Sequence, residues 1–108
     1  MSIMVNEEIR EMTRRFVDAL HPQKVILFGS YAKDTYREDS DYDFYIIMPD
    51  DTSKNLIDAT TDAYTVLDDM RDRKAVDIMM NTQSRFDYRK MHPTMERIVS
   101  REGIVLYG

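Results

Sequence analysis

The 108-residue chain contains no cysteine. Disulfides and thiolate metal sites are thereby excluded, and a reducing cytoplasm is the expected compartment. Long apolar runs are missing too, since no stretch approaches the ~20 residues that a membrane span requires. The start, Met1-Ser2-Ile3-Met4-Val5-Asn6-Glu7-Glu8, has neither the basic opening nor the apolar centre of a secretory signal. An excess of positive charge is missing as well: Asp and Glu number 20 against 15 Lys and Arg. The net charge is −5, and the densest basic cluster, Arg71-Asp72-Arg73-Lys74, is interrupted by an acid. Direct nucleic-acid binding is not expected, because such affinity comes from Lys and Arg neutralising phosphates. Glycine is scarce as well. Gly29, Gly103 and Gly108 are the only three, and without a Gly-x-x-x-x-Gly-Lys pattern a P-loop is excluded.

What remains is enough for one soluble domain, residues 1–108, with a single core. Residues 6–20 form an amphipathic helix capped by Asn6, with Ile9, Met12, Phe16 and Leu20 at helical spacing, and His21-Pro22 ends it. Val25–Phe28 is a continuous apolar run, the pattern of a strand buried on both faces. Gly29-Ser30 opens a segment, Tyr31–Tyr36, that reads as a short helix. Asp41–Met48 then alternates, with Asp41, Asp43, Tyr45 and Ile47 on one face and Tyr42, Phe44, Ile46 and Met48 on the other. A helix capped by Thr52 or Ser53 runs to about Met70. Ala75–Met80 is a third strand, with Asp77 opposite Val76, Ile78 and Met80. Helical patterns over Ser84–Met91 and from Pro93 to Glu102 follow, and Gly103 caps the last before a final strand, Ile104–Tyr107.

This order predicts an α/β (α+β) domain: a small mixed sheet of about four strands flanked by helices. The interval from Ser30 to Ser40 is tight for a crossover helix, so the first two strands are expected to be antiparallel.

The chemistry-bearing residues gather at that interval. Backbone N–H groups after a buried strand suit phosphate, Gly29 allows close backbone approach, and Ser30 adds a hydroxyl. Alone, this Gly-Ser is a weak signal. Asp41 and Asp43 point the same way at about 6–7 Å, where two charges repel by roughly 2–3 kcal/mol at an effective dielectric near 20. On the pair alone, a solvated strand edge is as good an account as a metal site. Asp77 shifts the balance, because a carboxylate amid apolar strand neighbours needs a partner. Three carboxylates on neighbouring strands suit two Mg²⁺ ions shared with substrate phosphates, with Asp77 also placed to act as general base. The aromatic rings of Tyr31, Tyr36, Tyr42 and Tyr45 read as strand packing, with base stacking or a partner interface as the alternative.

The wording Leu27-Phe28-Gly29-Ser30-Tyr31-Ala32-Lys33 followed by Arg37-Glu38-Asp39-Ser40-Asp41-Tyr42-Asp43-Phe44 resembles the minimal nucleotidyltransferases related to DNA polymerase beta. The resemblance covers nearly the whole chain. It implies transfer of AMP from ATP, with Mg²⁺, to a tyrosine of a HEPN-domain toxin whose antitoxin the nucleotidyltransferase is. Gly29 and Ser30 match nucleotide-phosphate positions, Asp41 and Asp43 the metal ligands, and Asp77 the third carboxylate. Where such proteins commonly carry Ala-Arg-Gly, this chain has Ala32-Lys33-Asp34. Lys33 keeps the charge without the bidentate fork, and Asp34 adds a negative charge near the expected phosphates. With no second domain to hold an acceptor, the acceptor is expected to be a separate macromolecule. Neutralisation of the toxin by binding alone, and transfer to a small molecule of the aminoglycoside type, are the competing expectations.

Overall fold

The computed structural model describes residues 5–108; residues 1–4, which belong to the stretch read above for a targeting signal, lie outside the described residues. Asn6 opens α1 (Glu7–Leu20) by accepting a hydrogen bond from the Ile9 N–H at 2.9 Å. Glu7 and Glu8 occupy the first turn, where the helix dipole favours acids. Ile9, Met12, Phe16 and Leu20 are all buried. The helix stops at His21, whose backbone turns left-handed (φ 49°) while its N–H closes on the Val17 carbonyl.

Strands β1 (Lys24–Phe28), β2 (Tyr42–Met48), β3 (Val76–Thr82) and β4 (Ile104–Tyr107) form one sheet in the order β3-β2-β1-β4. β1 runs antiparallel to both β2 and β4, as the short interval after Ser30 predicts. β2 and β3 are parallel, and the crossover this requires contains α2 (Leu56–Thr65). The free edge of β3 is partly closed by the Tyr64 hydroxyl, which accepts the Ile78 N–H at 3.0 Å.

Alternation along the strands builds two cores. Val25, Leu27, Tyr42, Phe44, Ile46, Val76 and Ile78 pack under α1 and α2, where the Phe16 and Phe44 rings meet edge-on at 5.1 Å. Ile26, Phe28, Tyr45 and Ile47 pack on the opposite face against Phe86 of α3 (Gln83–Arg89) and Val99 of α4 (Met95–Glu102). The two faces of β2 are those that its alternation predicts. No helix among the described residues is long and apolar enough to cross a membrane.

Several local expectations need correction. Tyr31–Tyr36 is not a helix: residues 31–34 form turns and 35–36 are irregular. One overlapping turn, Ala32 and Lys33 N–H to the Gly29 carbonyl at 3.1 and 3.2 Å, is followed by left-handed Asp34 (φ 58°), which ends any propagation. α2 is capped by Asn55, whose side chain accepts the Asp58 N–H at 2.8 Å, and not by Thr52 or Ser53. It ends at Thr65, and the chain continues through tight turns to Met70. Pro93 precedes Thr94, the actual cap of α4, so it lies outside the first turn. Gly103 closes α4 through its N–H to the Val99 carbonyl, but with extended backbone.

Candidate active site

The ladder between β1 and β2 ends with Phe28 opposite Asp43, so the chain leaves β1 beside the Asp43 carboxylate. Gly29 sits there at φ +74°, in the left-handed region that favours glycine. A Cβ on Gly29 would lie 2.2 Å from Asp43 Oδ2. The glycine is thus required twice over, by its backbone angle and by the carboxylate packed against it. Ser30 follows, half-buried, and its carbonyl accepts the Thr35 N–H at 2.9 Å.

On the other side of Asp43, the parallel register sets it directly beside Asp77 of β3. Adjacent strands are about 4.8 Å apart, and register partners share a face, so the two carboxylates are neighbours on the face away from α1 and α2. Asp41 precedes β2 by one residue and is exposed. Asp77 is exposed as well. Its apolar sequence neighbours point into the core while it points out, so it needs no buried partner, contrary to the expectation from sequence.

Asp43 carries the electrostatic strain. Burial, then the Asp77 carboxylate, then that of Asp41 push its pKa from 3.8 up to about 6. All three causes act against the charged form. The donor set is made of hard carboxylate oxygens, which fits Mg²⁺, and a cation would relieve the crowding. Among the described residues no three His, Cys, Asp or Glu side chains converge closely enough to hold a metal by themselves. Mg²⁺ ordinarily takes only one or two carboxylates and completes its shell with phosphate oxygens and water.

Lys33, the remaining basic candidate, is turned to the end of α4, where its Nζ lies 3.3 Å from Glu102 Oε1 with both side chains largely exposed. Asp34 stands in the left-handed region, which explains why an acid can occupy a position where glycine is the easy choice; Asp and Asn tolerate that conformation best among residues with a Cβ. Of the four tyrosines, Tyr31, Tyr42 and Tyr45 are buried, and Tyr36 stacks on Tyr31 at 4.2 Å.

Nothing in the sequence singles out Glu96. It projects from α4 onto the sheet at 4% exposure. There Tyr45, two residues beyond Asp43 on the same face, donates its hydroxyl to Glu96 Oε2 at 2.7 Å, and Arg89 Nε donates to Oε1 at 2.9 Å. Burial pushes the Glu96 pKa up, but the Tyr45 and Arg89 hydrogen bonds outweigh it, and the net direction is down. This satisfied network fastens α4 to the sheet next to the carboxylates.

A glycine turn packed against strand-borne carboxylates, on a four-stranded mixed sheet between helices, is the architecture of the nucleotidyltransferase fold. The sequence profile of the Nucleotidyltransferase domain family matches residues 7–105, and the chain belongs to that family. Two solved structures share the fold. One is a Sulfolobus solfataricus protein assigned to the nucleotidyltransferases, 17% identical with a TM-score of 0.65, over 94% of this chain and 78% of that one. The other is a toxin–antitoxin structure with AMP-PNP, 20% identical with a TM-score of 0.55, over 92% of this chain and 73% of that one. A search of curated protein sequences returns no significant match.

Proposed function

We propose that this nucleotidyltransferase moves AMP from ATP onto a hydroxyl, that of a tyrosine on a HEPN-domain toxin, and so acts as the toxin's antitoxin. The observation that carries the reading is the juxtaposition of Gly29, Asp43 and Asp77, a left-handed glycine turn set against paired carboxylates. The likeness to a toxin–antitoxin structure holding AMP-PNP supports the choice of nucleotide and of partner.

The roles follow from the chemistry of each group. Gly29 lets the backbone turn beside the Asp43 carboxylate, and Ser30, next in that turn, donates its hydroxyl to a phosphate. Asp41, Asp43 and Asp77 would hold Mg²⁺, which supplies neutralisation of the phosphate oxygens and a lowered pKa for the attacking hydroxyl. Asp77, exposed toward the acceptor, takes the hydroxyl proton as general base. The acceptor oxygen bonds to the α-phosphorus while the bond from that phosphorus to the bridging oxygen breaks, and pyrophosphate leaves with the electron pair. Lys33 exchanges Glu102 for a phosphate oxygen as the nucleotide arrives.

The test is incubation of the purified chain and its neighbour-encoded partner with ATP and Mg²⁺, read by intact mass. The expected result is a partner heavier by AMP, with the adduct lost in Asp41→Asn and Asp43→Asn. An unmodified partner, or labelling that survives both substitutions, refutes the proposal. Exposed Tyr88, Met91, Met95 and Ile98 on and between α3 and α4 also suit neutralisation by coverage alone. An Asp43→Asn chain that still protects fully against the toxin would favour that second reading.

A further inference from the structure

The Gly29-Ser30 turn and the aspartate strand are separated by ten residues and meet again on the α1 and α2 side of the sheet. The residue after Gly29-Ser30 is Tyr31, and the residue between Asp41 and Asp43 is Tyr42. Both point to the α1 and α2 side, and their rings touch edge-on at 4.7 Å and 70°. Tyr31 is the one fully buried side chain between Gly29 and Asp41, with only 4% exposed. It is therefore the anchor of a segment whose other side chains are half-buried or exposed.

Tyr42 is fixed more firmly still. It is 1% exposed, its hydroxyl donates to Glu8 Oε1 at 2.7 Å, and it accepts from Asn6 Nδ2 at 3.2 Å. Asn6 is at the same time the cap of α1, through its bond to the Ile9 N–H. The Tyr42 backbone N–H is held by the Ala75 carbonyl at 3.0 Å. Tyr42 is also the first residue of β2, the end of a strand where fraying begins. A rotation of the backbone there would swing the carboxylates of Asp41 and Asp43 together, because side chains alternate about it.

We propose that Tyr31 and Tyr42 are positioning residues that act as one unit, coupling the Gly29-Ser30 turn to the aspartate strand through their ring contact. The inference rests on the nucleotide-transfer reading for its catalytic consequence, though not for the coupling itself. Both rings lie in the core on the α1 and α2 side, the opposite face of the sheet from the Asp43 and Asp77 carboxylates. Aromatic edge contacts of this kind are directional, so they fix orientation as well as distance. The Tyr36 ring, stacked on Tyr31 at 4.2 Å, extends the same column outward.

The test compares full-length Tyr31→Leu, Tyr31→Phe, Tyr42→Leu and the double Leu variant, each at a temperature where circular dichroism shows it folded. Amide hydrogen exchange without nucleotide is one readout. The KM for Mg²⁺-ATP and the kcat of transfer to the partner are the other. Tyr31→Leu is expected to speed exchange at Tyr42 and Asp43, on the strand that the Tyr31 ring contacts, and to raise the KM on the order of tenfold. Tyr31→Phe, which keeps the ring, restores both. The double variant loses about as much as either single one, because residues acting as one unit are not additive. Should Tyr42→Leu not fold, the comparison of Tyr31→Leu with Tyr31→Phe decides alone. Unchanged exchange at Asp43 in folded Tyr31→Leu, or additive losses in the double variant, overturns the coupling. A wild-type chain that transfers nothing refutes the functional reading, while the exchange measurement still decides whether the coupling exists.

Discussion

Replacing Asp43 by Asn should make the chain more stable while abolishing transfer. The Asp43 carboxylate is held against Gly29 and beside Asp77, and its pKa is pushed from 3.8 up to about 6. At about 1.4 kcal/mol per tenfold change in acidity, that corresponds to about 3 kcal/mol against the ionised form. The site is open to water on the Asp41 and Asp77 side, so solvent screening reduces it to roughly 1–1.5 kcal/mol. Asparagine keeps the shape and removes the charge. At pH 7.5 with a chelator present, Asp43→Asn should melt about 5 °C above wild type, since 1 kcal/mol shifts a domain of this size by roughly 4–8 °C.

The sign of the pH dependence follows from linkage. Between about pH 4 and 6 the folded chain holds a proton on Asp43 that the unfolded chain has released, so wild-type stability falls as pH rises through that window. The gain of the variant should therefore shrink as pH drops and vanish near pH 3.5. Added Mg²⁺ should raise the wild-type melting temperature more than that of the variant, because a ligand of the folded state stabilises it by mass action. Thermal melts across pH, with and without Mg²⁺, check all of this. An Asn variant less stable than wild type at pH 7.5 without metal, or a gap that does not narrow with acid, would refute the reasoning.

Four further substitutions probe the surroundings. Gly29→Ala forces a Cβ toward Asp43 Oδ2 at 2.2 Å in left-handed backbone, so it should destabilise by about 1–2 kcal/mol and lower transfer on the order of a hundredfold, read by denaturant melts and intact mass. Tyr45→Phe removes a hydroxyl that donates to buried Glu96 and should cost about 1.5–3 kcal/mol. Since the folded pKa of Glu96 is lowered, its stabilisation is present above the ordinary glutamate value and is lost as pH falls through the folded one; Glu96→Gln should flatten acid unfolding in that range. Asp34→Gly should stabilise the loop by about 0.5 kcal/mol, because the strain of left-handed backbone outweighs the extra freedom of glycine in the unfolded chain, and it should also lower the KM for ATP.

The parts of this molecule that were legible in its sequence are those governed by periodicity. The spacing of Ile9, Met12, Phe16 and Leu20 marks α1, and the alternation from Tyr42 to Met48 assigns each side chain to the correct core. The segment after Ser30 misled because its residues tolerate a helix, while a left-handed Asp34 and the high cost of nucleation leave only one turn. The cap of α2 misled because Thr52, Ser53 and Asn55 all carry capping side chains, and tertiary packing chose the last. Of the candidate site residues, Gly29, Asp43 and Asp77 are brought together by strand register. Lys33 and Glu102, like Tyr45 and Glu96, are pairs over long separation, and neither has a local signal.

The parallel register of β2 and β3 has a consequence for folding fidelity. Side chains alternate, so a slip of β3 by one position would bury Asp77 under α1 and α2 and present Val76 or Ile78 beside Asp43. An unpaired carboxylate in that core is strongly unfavourable. The misalignment that would disarm the chemistry is thus the one the interior rejects, and the Tyr64 hydroxyl on the Ile78 N–H marks the accepted alignment from the outer edge. The core under α1 and α2 thus proofreads the site on the opposite face: a molecule that has completed that core has already aligned its carboxylates.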